Sequence, residues 1–210
     1  PPKPDLDTYP SWMAGCRRSR KHAHGCELAV KRYLMVQTHR EALFPWLRTI
    51  DNIAYPLKLA GKSKADLDRR MAELVASFDV KFDLHRYPYE LSGGQQQTAS
   101  IMRALAPGPE VLFLDEPFSA LDFEMTLFIR EKLQEVFIET GTTMMLVSHD
   151  LEEAVYLADQ VLLLTKRPTR IAEILHYEDV RPRTVATLSE ASFIATKNRS
   201  LEIFQREVRR

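Results

Sequence analysis

Two adjacent carboxylates, Asp115 and Glu116, follow a short apolar run over residues 111–114. A continuous apolar run of this length predicts a strand buried on both faces of a parallel sheet, where ligands bind beyond the carboxyl ends of the strands. An aspartate at that position can hold Mg²⁺, and the next residue can orient and deprotonate an attacking water. Taken alone, the same run also fits a strand followed by an ordinary surface turn.

A second candidate site lies upstream, where Ser92, Gly93 and Gly94 precede a helical run that begins near Gln95. Glycines leave the backbone uncrowded, and the start of a helix presents unpaired N–H groups and the positive end of the helix dipole. This combination suits an anionic phosphate. The two candidate sites together therefore favour chemistry on a phosphate compound.

Alternating helices and strands must position these groups. Apolar spacing and the breakers around it predict helices over 95–106, 124–139 and 151–158 and strands over 111–114, 143–147 and 161–164. The helix over 124–139 is predicted to end at Gly141, and its predicted apolar side consists of Leu127, Phe128, Leu133, Val136 and Phe137. The strand over 143–147 is also predicted to be buried. This alternation predicts an α/β fold with a parallel sheet and right-handed connections.

In their order along the chain, these motifs resemble those of the ATP-binding subunits of ABC transporters. The matching motifs are LSGGQ at 91–95 (signature), VLFLDEP at 111–117 (Walker B), SALD at 119–122 (D-loop), His149 in LVSHD (switch) and Gln37 (Q-loop). The resemblance extends from about Met35 to the C-terminus. The segments over 42–53 and 166–171 are most similar to the nitrate, sulfonate and taurine importer group.

The resemblance implies an ABC-type P-loop NTPase nucleotide-binding domain over 35–210. Within it we expect a helical subdomain over about 45–105, a parallel-sheet core over 106–165 and a C-terminal extension over 166–210. Residues 1–34 do not resemble the family and are expected to be disordered.

The resemblance also implies a role for each motif residue, with ATP and Mg²⁺ as ligands. Glu116 would be the general base, His149 would grip the γ-phosphate, and Asp115 and Gln37 would serve Mg²⁺. Contacts to nucleotide would come from Ser92, Gly93, Gly94, Gln95 and Asp122. In the family these contacts cross between two head-to-tail subunits, so a second ATPase subunit is an expected partner.

Membrane-spanning permease subunits and, indirectly, a solute-binding protein are further expected partners. Phe44, Pro45 and Trp46 match the family's docking surface, although packing within the helical subdomain explains them equally well. Ser63 is predicted to cap the amphipathic helix of that subdomain, whose apolar positions are Leu67, Met71, Leu74, Val75 and Phe78. The expected location is cytoplasmic, peripheral on the inner face of the cell membrane.

Charge and composition add exclusions. Lys plus Arg and Asp plus Glu are both 29, so no overall basic field indicates nucleic acid as a partner. No apolar run approaches the about 18 residues that a membrane span needs, and no apolar run follows the basic N-terminal residues as in a secretory signal.

The N-terminal segment departs from the family. The sequence contains no G-x-x-x-x-G-K-[ST] loop, which in the family cradles the phosphates. A truncated or frameshifted product is one hypothesis, and a non-hydrolytic subunit that lends its signature to an intact partner is the alternative. Cys16, His22, His24 and Cys26 could hold zinc, but their spacing matches no common zinc motif, and a reduced, unstructured pair of thiols fits better.

One residue of the signature helix departs from the family pattern, and the C-terminal region has a less regular sequence pattern. Thr98 stands where the family usually has arginine. A last strand is predicted over 170–175, and Ser189 is predicted to cap a terminal helix. The apolar residues of that helix are Phe193, Ile194, Leu201 and Phe204. The transported solute cannot be read from this chain, because binding protein and permease select it.

Overall fold

The computed structural model describes residues 33–37, 42–119 and 121–209. Its strands are β1 (Tyr33–Gln37), β2 (Val111–Asp115), β3 (Thr143–Val147), β4 (Gln160–Leu164) and β5 (Ile171–His176). Its α-helices are α1 (Thr49–Leu59), α2 (Lys64–Ser77), α3 (Gly93–Leu105), α4 (Phe123–Thr140), α5 (Leu151–Leu157) and α6 (Ala191–Arg209). Two 3₁₀ turns, Pro88–Glu90 and Val185–Ser189, precede α3 and α6. The predicted elements over 95–164 are all present, within two residues of their predicted bounds.

The strands β1, β2 and β3 form a parallel sheet in that order. In the register of this sheet, Gln37 lies beside Asp115 and Asp115 lies beside Val147. The carboxyl ends of all three strands therefore meet at one edge of the sheet. The predicted α/β fold with parallel strands is confirmed.

The burial of β2 and β3 differs from the prediction. Only Leu112 and Leu114 are fully buried in β2, whereas its other residues are half-buried. In β3, the side chains of Met145 and Val147 are 51% and 53% exposed. The prediction of two strands buried on both faces is therefore wrong: the helical core covers one face of the sheet more completely than the other.

The strand β4 pairs with β5 and not with the three-stranded sheet. Their pairing is antiparallel, with a register shift between Leu163 and Leu164. The predicted strands over 161–164 and 170–175 are both confirmed, but the parallel layout does not extend to them. A short connection over 165–170 explains the difference, because a parallel pair needs a much longer crossover.

One core cluster joins the helices α1 to α4 with β2. Its fully covered side chains include Ile53, Phe78, Ile101, Met102, Leu112, Ile129 and Leu133. Ser63 caps α2, as predicted, because its hydroxyl accepts a 3.1 Å hydrogen bond from the backbone N–H of Asp66. Met71, Leu74 and Phe78 are buried on the predicted face of α2.

The buried side of α4 is rotated from the predicted one. Leu133 and Val136 are buried, but Leu127, Phe128 and Phe137 are only half-buried. Two polar side chains, Arg130 and Gln134, occupy buried positions instead, and hydrophobicity alone could not have placed them there. The end of α4 is as predicted, with Gly141 at φ 64°, a conformation that glycine adopts without strain.

A second core cluster joins α5, β4 and α6. Val155, Tyr156, Val161, Leu163, Tyr177, Phe193 and Ile203 form it. Ser189 lies within the 3₁₀ turn Val185–Ser189, and α6 begins two residues later, so the predicted cap at Ser189 is wrong. Among the described residues, no helix combines the length and the apolar composition that a bilayer span requires.

Candidate functional site

The chain turns sharply where β2 ends. Glu116 follows Asp115 with φ at 48°, in the left-handed region that non-glycine residues rarely adopt. Its backbone N–H donates a 2.8 Å hydrogen bond to the carbonyl of Val147, the last residue of β3. Strained backbone of this kind clusters at functional sites, where surrounding contacts hold it in place. The turn directs the Glu116 side chain toward the segment that follows β3.

Glu116 and His149 are in direct contact across the ends of these strands. The Glu116 Oε1 atom accepts a 3.0 Å hydrogen bond from the backbone N–H of His149. The Oε2 atom lies 2.8 Å from the His149 Nδ1 atom. Asp115 lies beside Val147 in the register, and His149, two residues further on, lies next to Glu116.

The carboxylate of Glu116 controls the charge of this histidine. Its hydrogen bond, and then its negative charge, raise the pKa of His149 above the ordinary value of 6.5. The charges of Glu153 and Asp150 act in the same direction. Because the His149 side chain is 80% exposed, solvent screens this pairing. An exposed imidazole with a raised pKa suits contact with an anionic group that approaches from outside.

A short capping motif holds the segment that carries His149. Asp150 is the N-cap of α5, and its Oδ1 atom accepts hydrogen bonds of 2.7 Å from the Glu152 N–H and 3.3 Å from the Glu153 N–H. The Ser148 hydroxyl accepts a 3.0 Å bond from the Asp150 N–H. These local bonds fix the backbone on both sides of His149.

The donor set at the sheet edge fits Mg²⁺ in type. Asp115 and Gln37 occupy neighbouring register positions at the ends of β2 and β1, and Glu116 follows directly. Mg²⁺ is usually held by one or two carboxylates together with phosphate oxygens and waters, not by a cage of protein groups alone. Accordingly, no cluster of three or more His, Cys, Asp or Glu residues that could bind a metal occurs within 33–37, 42–119 and 121–209.

The glycines before α3 are held in a well-formed helix start. Ser92 is the N-cap, and its hydroxyl accepts a 3.3 Å bond from the Gln95 N–H. The Gln95 Oε1 atom accepts a 3.1 Å bond from the Ser92 N–H, which completes a capping box. Ser92 and Gly93 are exposed. The predicted phosphate-binding helix start therefore has an ordered backbone that faces outward.

Gly94 lies close to the side chain of Met125 in α4. A Cβ atom at Gly94 would lie 2.5 Å from the Met125 Cγ atom and 2.8 Å from its Cε atom. Met125 belongs to the first turn of α4, and its N–H donates a 2.9 Å bond to the side chain of Asp122, the N-cap of that helix. Met125 therefore contacts both Gly94, through its side chain, and Asp122, through its backbone N–H. Gly94 and Asp122 are too far apart in sequence for a local pattern to predict this arrangement.

Thr98, which stands where the family usually has arginine, makes a hydrogen bond within its own helix. Its side chain is buried, and the hydroxyl donates a 2.9 Å bond to the Gly94 carbonyl one turn earlier. The threonine therefore satisfies its own polar atom within α3. It also ties the body of the helix to the glycine at its start.

Phe44 and Trp46 lie in a loop that one buried asparagine organises. The Asn52 Oδ1 atom accepts a 2.8 Å bond from the Phe44 N–H, and its Nδ2 atom donates to the carbonyls of Phe44 and Leu47. Phe44 is half-buried and packs on Tyr55, whereas Trp46 is 70% exposed. Packing thus accounts for Phe44, and a docking role remains available to Trp46.

Two sequence features stay outside the candidate site. The Gly61-Lys62-Ser63 tripeptide connects α1 to α2, where Gly61 has φ 65° and Ser63 caps α2. The proposed zinc ligands Cys16, His22, His24 and Cys26 lie outside the described residues. Neither feature contributes to the strand ends or to the start of α3.

A protein-family model matches part of this chain. The ABC transporter family model matches residues 18–119. The match begins at residue 18, within residues 1–34, which were expected not to resemble the family. It contains Asp115, Glu116 and the helix start at Ser92.

Two curated relatives are both named taurine import ATP-binding protein TauB. The chain is 42% identical over 142 residues to the taurine import ATP-binding protein TauB of Pseudomonas fluorescens, which covers 66% of this chain and 52% of that protein. It is 38% identical to TauB of Pseudomonas savastanoi pv. phaseolicola, over 80% of this chain and 67% of the relative. The chain therefore spans between about half and two thirds of the length of these relatives.

Solved structures show the same fold. An ATP-binding cassette described as dimeric, in a post-hydrolysis state and bound to ADP and Pi, has a TM-score of 0.64 at 24% identity, over 76% of this chain and 69% of that one. A dimeric structure of a bacterial ABC transporter cassette has a TM-score of 0.58 at 26% identity, over 68% of this chain and 62% of that one.

Proposed function

Because the chain belongs to the ABC transporter family of ATP-binding proteins, we propose that it is an ATP-binding subunit that energises import of a small anion or sulfonate, such as nitrate, sulfonate or taurine. The observation that carries the proposal is the Glu116–His149 contact at the ends of adjacent parallel strands. The contact brings the Glu116 carboxylate next to the His149 imidazole, which supports the proposed roles of Glu116 as general base and His149 as phosphate-binding group. The names of the relatives support taurine or a related sulfonate as the solute.

In the proposed reaction, Glu116 accepts a proton from the attacking water and His149 donates a hydrogen bond to the γ-phosphate. The raised pKa of His149 favours the charged imidazolium, which binds an anion more strongly than the neutral ring does. When bound, Mg²⁺ would neutralise phosphate charge, and Asp115 and Gln37 are its candidate ligands. Removal of a general base typically lowers a rate by about 10²- to 10⁴-fold.

The start of α3 acts on a different nucleotide in this proposal. Ser92, Gly93, Gly94 and Gln95, with Asp122, would contact the ATP held by a second ATPase subunit. The outward-facing Ser92 and Gly93 support this role, since they are accessible to a partner. Permease subunits would dock near Trp46, and the chain would work at the inner face of the membrane.

A non-hydrolytic role in a mixed pair is the second candidate. The 210 residues contain no G-x-x-x-x-G-K-[ST] loop, and the structure describes a complete capping box at the signature helix. A chain with these features would lend Ser92 to Gly94 to a partner's nucleotide without turning over ATP of its own.

Association with an intact TauB relative tests both candidates. The relative carries a Glu-to-Gln substitution of its general base, so that ATP is bound but not consumed. Size-exclusion chromatography with and without Mg-ATP would report an ATP-dependent pair. Binding of Mg-ATP to the chain alone would separate the hydrolytic candidate from the non-hydrolytic one.

A further inference from the structure

A buried ion pair joins α4 to α5 next to the candidate site. The Arg130 Nη2 atom lies 3.3 Å from the Glu153 Oε1 atom, and the two side chains are only 7% and 12% exposed. The cost of desolvating both charges offsets most of their attraction, so such a pair contributes little net stability. The position of the pair, between α4 and the start of α5, therefore indicates its role better than its contribution to stability does.

The Glu153 carboxylate holds the residue that precedes His149. Its Oε2 atom accepts a 2.7 Å hydrogen bond from the Ser148 hydroxyl, while Oε1 faces Arg130. The same Ser148 oxygen accepts the N–H of Asp150. Glu153 thus holds the segment immediately before His149 through the Ser148 hydroxyl. Arg130 compensates the negative charge of the buried Glu153 carboxylate.

Arg130 also contacts the segment that follows Glu116. Its guanidinium carbon lies 5.6 Å from the centroid of the Phe118 ring and 5.5 Å from that of Tyr156. Phe118 is buried and is two residues beyond Glu116. The guanidinium is therefore between the chain that follows Glu116 on one side and α5, through Tyr156 and Glu153, on the other.

These contacts close a ring around the candidate site. The ring runs from Glu116 to Phe118 along the chain, through Arg130 and Glu153 to Ser148, and back through His149 to Glu116. We propose that Arg130 is a positioning residue, which holds the Phe118 and Ser148 segments in the geometry that lets Glu116 contact His149. The proposal deepens the proposed function, because it names the residue that aligns the base with the phosphate-binding histidine.

The shape of the arginine matters as well as its charge. Its buried Nε atom has no hydrogen-bond partner among the described residues. The guanidinium carbon instead lies 5.6 and 5.5 Å from the centroids of two aromatic rings, and a planar group of this kind can stack on such rings. A lysine would keep the charge but could not present a planar face, so it should replace Arg130 poorly.

The histidine ring itself gives the test. Purified protein labelled with ¹⁵N-histidine is compared by NMR at one fixed pH for the wild type and for R130M, R130K, S148A and E116Q. E116Q defines the signal of His149 without its carboxylate, and H149N assigns that signal. We expect R130M and S148A to move the His149 Nδ1 signal toward the E116Q position, and R130K to move it part of the way. Exchange of the His149 amide hydrogen should also become faster in R130M.

The matched control is R199M, which breaks an exposed arginine–carboxylate pair with Glu173, far along the chain in α6. It should leave the His149 signals unchanged. If R130M does not fold, R130K and S148A decide, because neither leaves a buried carboxylate without a cation. Unchanged His149 signals in folded R130M, or in R130K and S148A together, overturn the proposal. This readout needs no nucleotide, so it fails or succeeds independently of the ATP-dependent pairing that tests the proposed function.

Discussion

Glu116 holds His149 through both of its carboxylate oxygens, one on the backbone N–H at 3.0 Å and one on the Nδ1 atom at 2.8 Å. A carboxylate engaged in this way is directed at the histidine. In the described conformation, therefore, the proposed base and the proposed phosphate-binding group restrain one another. We expect an approaching phosphate to compete for His149 and so to free Glu116 for its reaction.

The first prediction concerns the charge of His149. Replacing Glu116 with glutamine removes the negative charge that raises the pKa of this histidine, so the pKa should fall toward its ordinary value of 6.5. An NMR titration of the ring measures it. E73Q, which changes an exposed carboxylate on α2, is the control and should leave the titration of His149 as it is in the wild type. An identical titration in E116Q and wild type would contradict the assigned contact.

The same contact predicts how stability responds to pH. Because the folded-state pKa of His149 is raised, its pairing with Glu116 stabilises the fold fully below the ordinary value of 6.5 and is lost as the pH rises through the folded pKa. Wild type should therefore lose more stability than E116Q between about pH 5.5 and 8.5, a range that brackets histidine titration. Urea unfolding at both pH values measures this difference. Equal losses in both proteins would contradict it.

The second prediction concerns Gly94. Alanine usually stabilises a helix relative to glycine by about 0.5–1 kcal/mol. At Gly94, however, its Cβ atom would meet the Met125 side chain at 2.5 Å. G94A should therefore destabilise the protein by about 1–3 kcal/mol, the usual cost of overpacking. Urea unfolding of G94A measures it.

A double substitution supplies the control for this clash. M125A removes the obstructing atoms, so adding G94A to M125A should cost much less than G94A costs in the wild type. A coupling energy near zero between the two substitutions would show that the clash is not the cause.

The third prediction concerns Arg183, whose side chain is 0% exposed. Its guanidinium donates to the carbonyls of Val155, Tyr156, Ala158 and Tyr177 and pairs with Asp159. R183M removes this donor from the carbonyls at the end of α5 and from that of Tyr177. Each buried acceptor left unpaired costs about 1–3 kcal/mol, so R183M should destabilise the fold by about 3 kcal/mol or more. R199M, in an exposed pair, should cost less than about 1 kcal/mol. Chemical denaturation of both variants gives the comparison, and similar losses would contradict the assigned role.

The fourth prediction concerns the loop that carries Trp46. N52L keeps a side chain of similar size but leaves the N–H of Phe44 without its acceptor. It also removes the amide donor from the carbonyls of Phe44, Leu47 and Arg48. Each buried group left unpaired costs about 1–3 kcal/mol, so amide hydrogen exchange over residues 44–48 should accelerate markedly. D51N, at the exposed neighbouring position, is the control. Unchanged exchange in N52L would show that other contacts hold the loop.

Local chemistry explains why much of the fold and part of the site were predictable. Ser63 and Gly141 mark their helix ends through bonds or backbone angles that depend on a few consecutive residues. Ser92 does the same at the start of α3. The strand over 143–147 was predicted at its observed bounds because its apolar run is short and bounded by polar residues.

The remaining features depend on contacts between distant segments. Glu116 and His149 are 33 positions apart, and only the register of β2 and β3 brings them together. Gln134 is buried because it exchanges hydrogen bonds of 2.9 and 2.7 Å with the backbone of Arg183, 49 positions away. Arg130 is buried for a similar reason, through Glu153. No helical periodicity could reveal such partners.

In the proposed function, the start of α3 contacts a nucleotide at the interface with a second ATPase subunit. The most direct measurement is Mg-ATP-dependent association of the chain with the base-substituted intact relative, for wild type and for S92R. S92R places a bulky side chain at the exposed N-cap, and R199M serves as the control. We expect the wild-type chain and the relative to associate only with Mg-ATP. The R199M variant should still associate with the relative, and the S92R variant should not. No pair with wild type, or a pair that S92R leaves intact, would contradict the proposal.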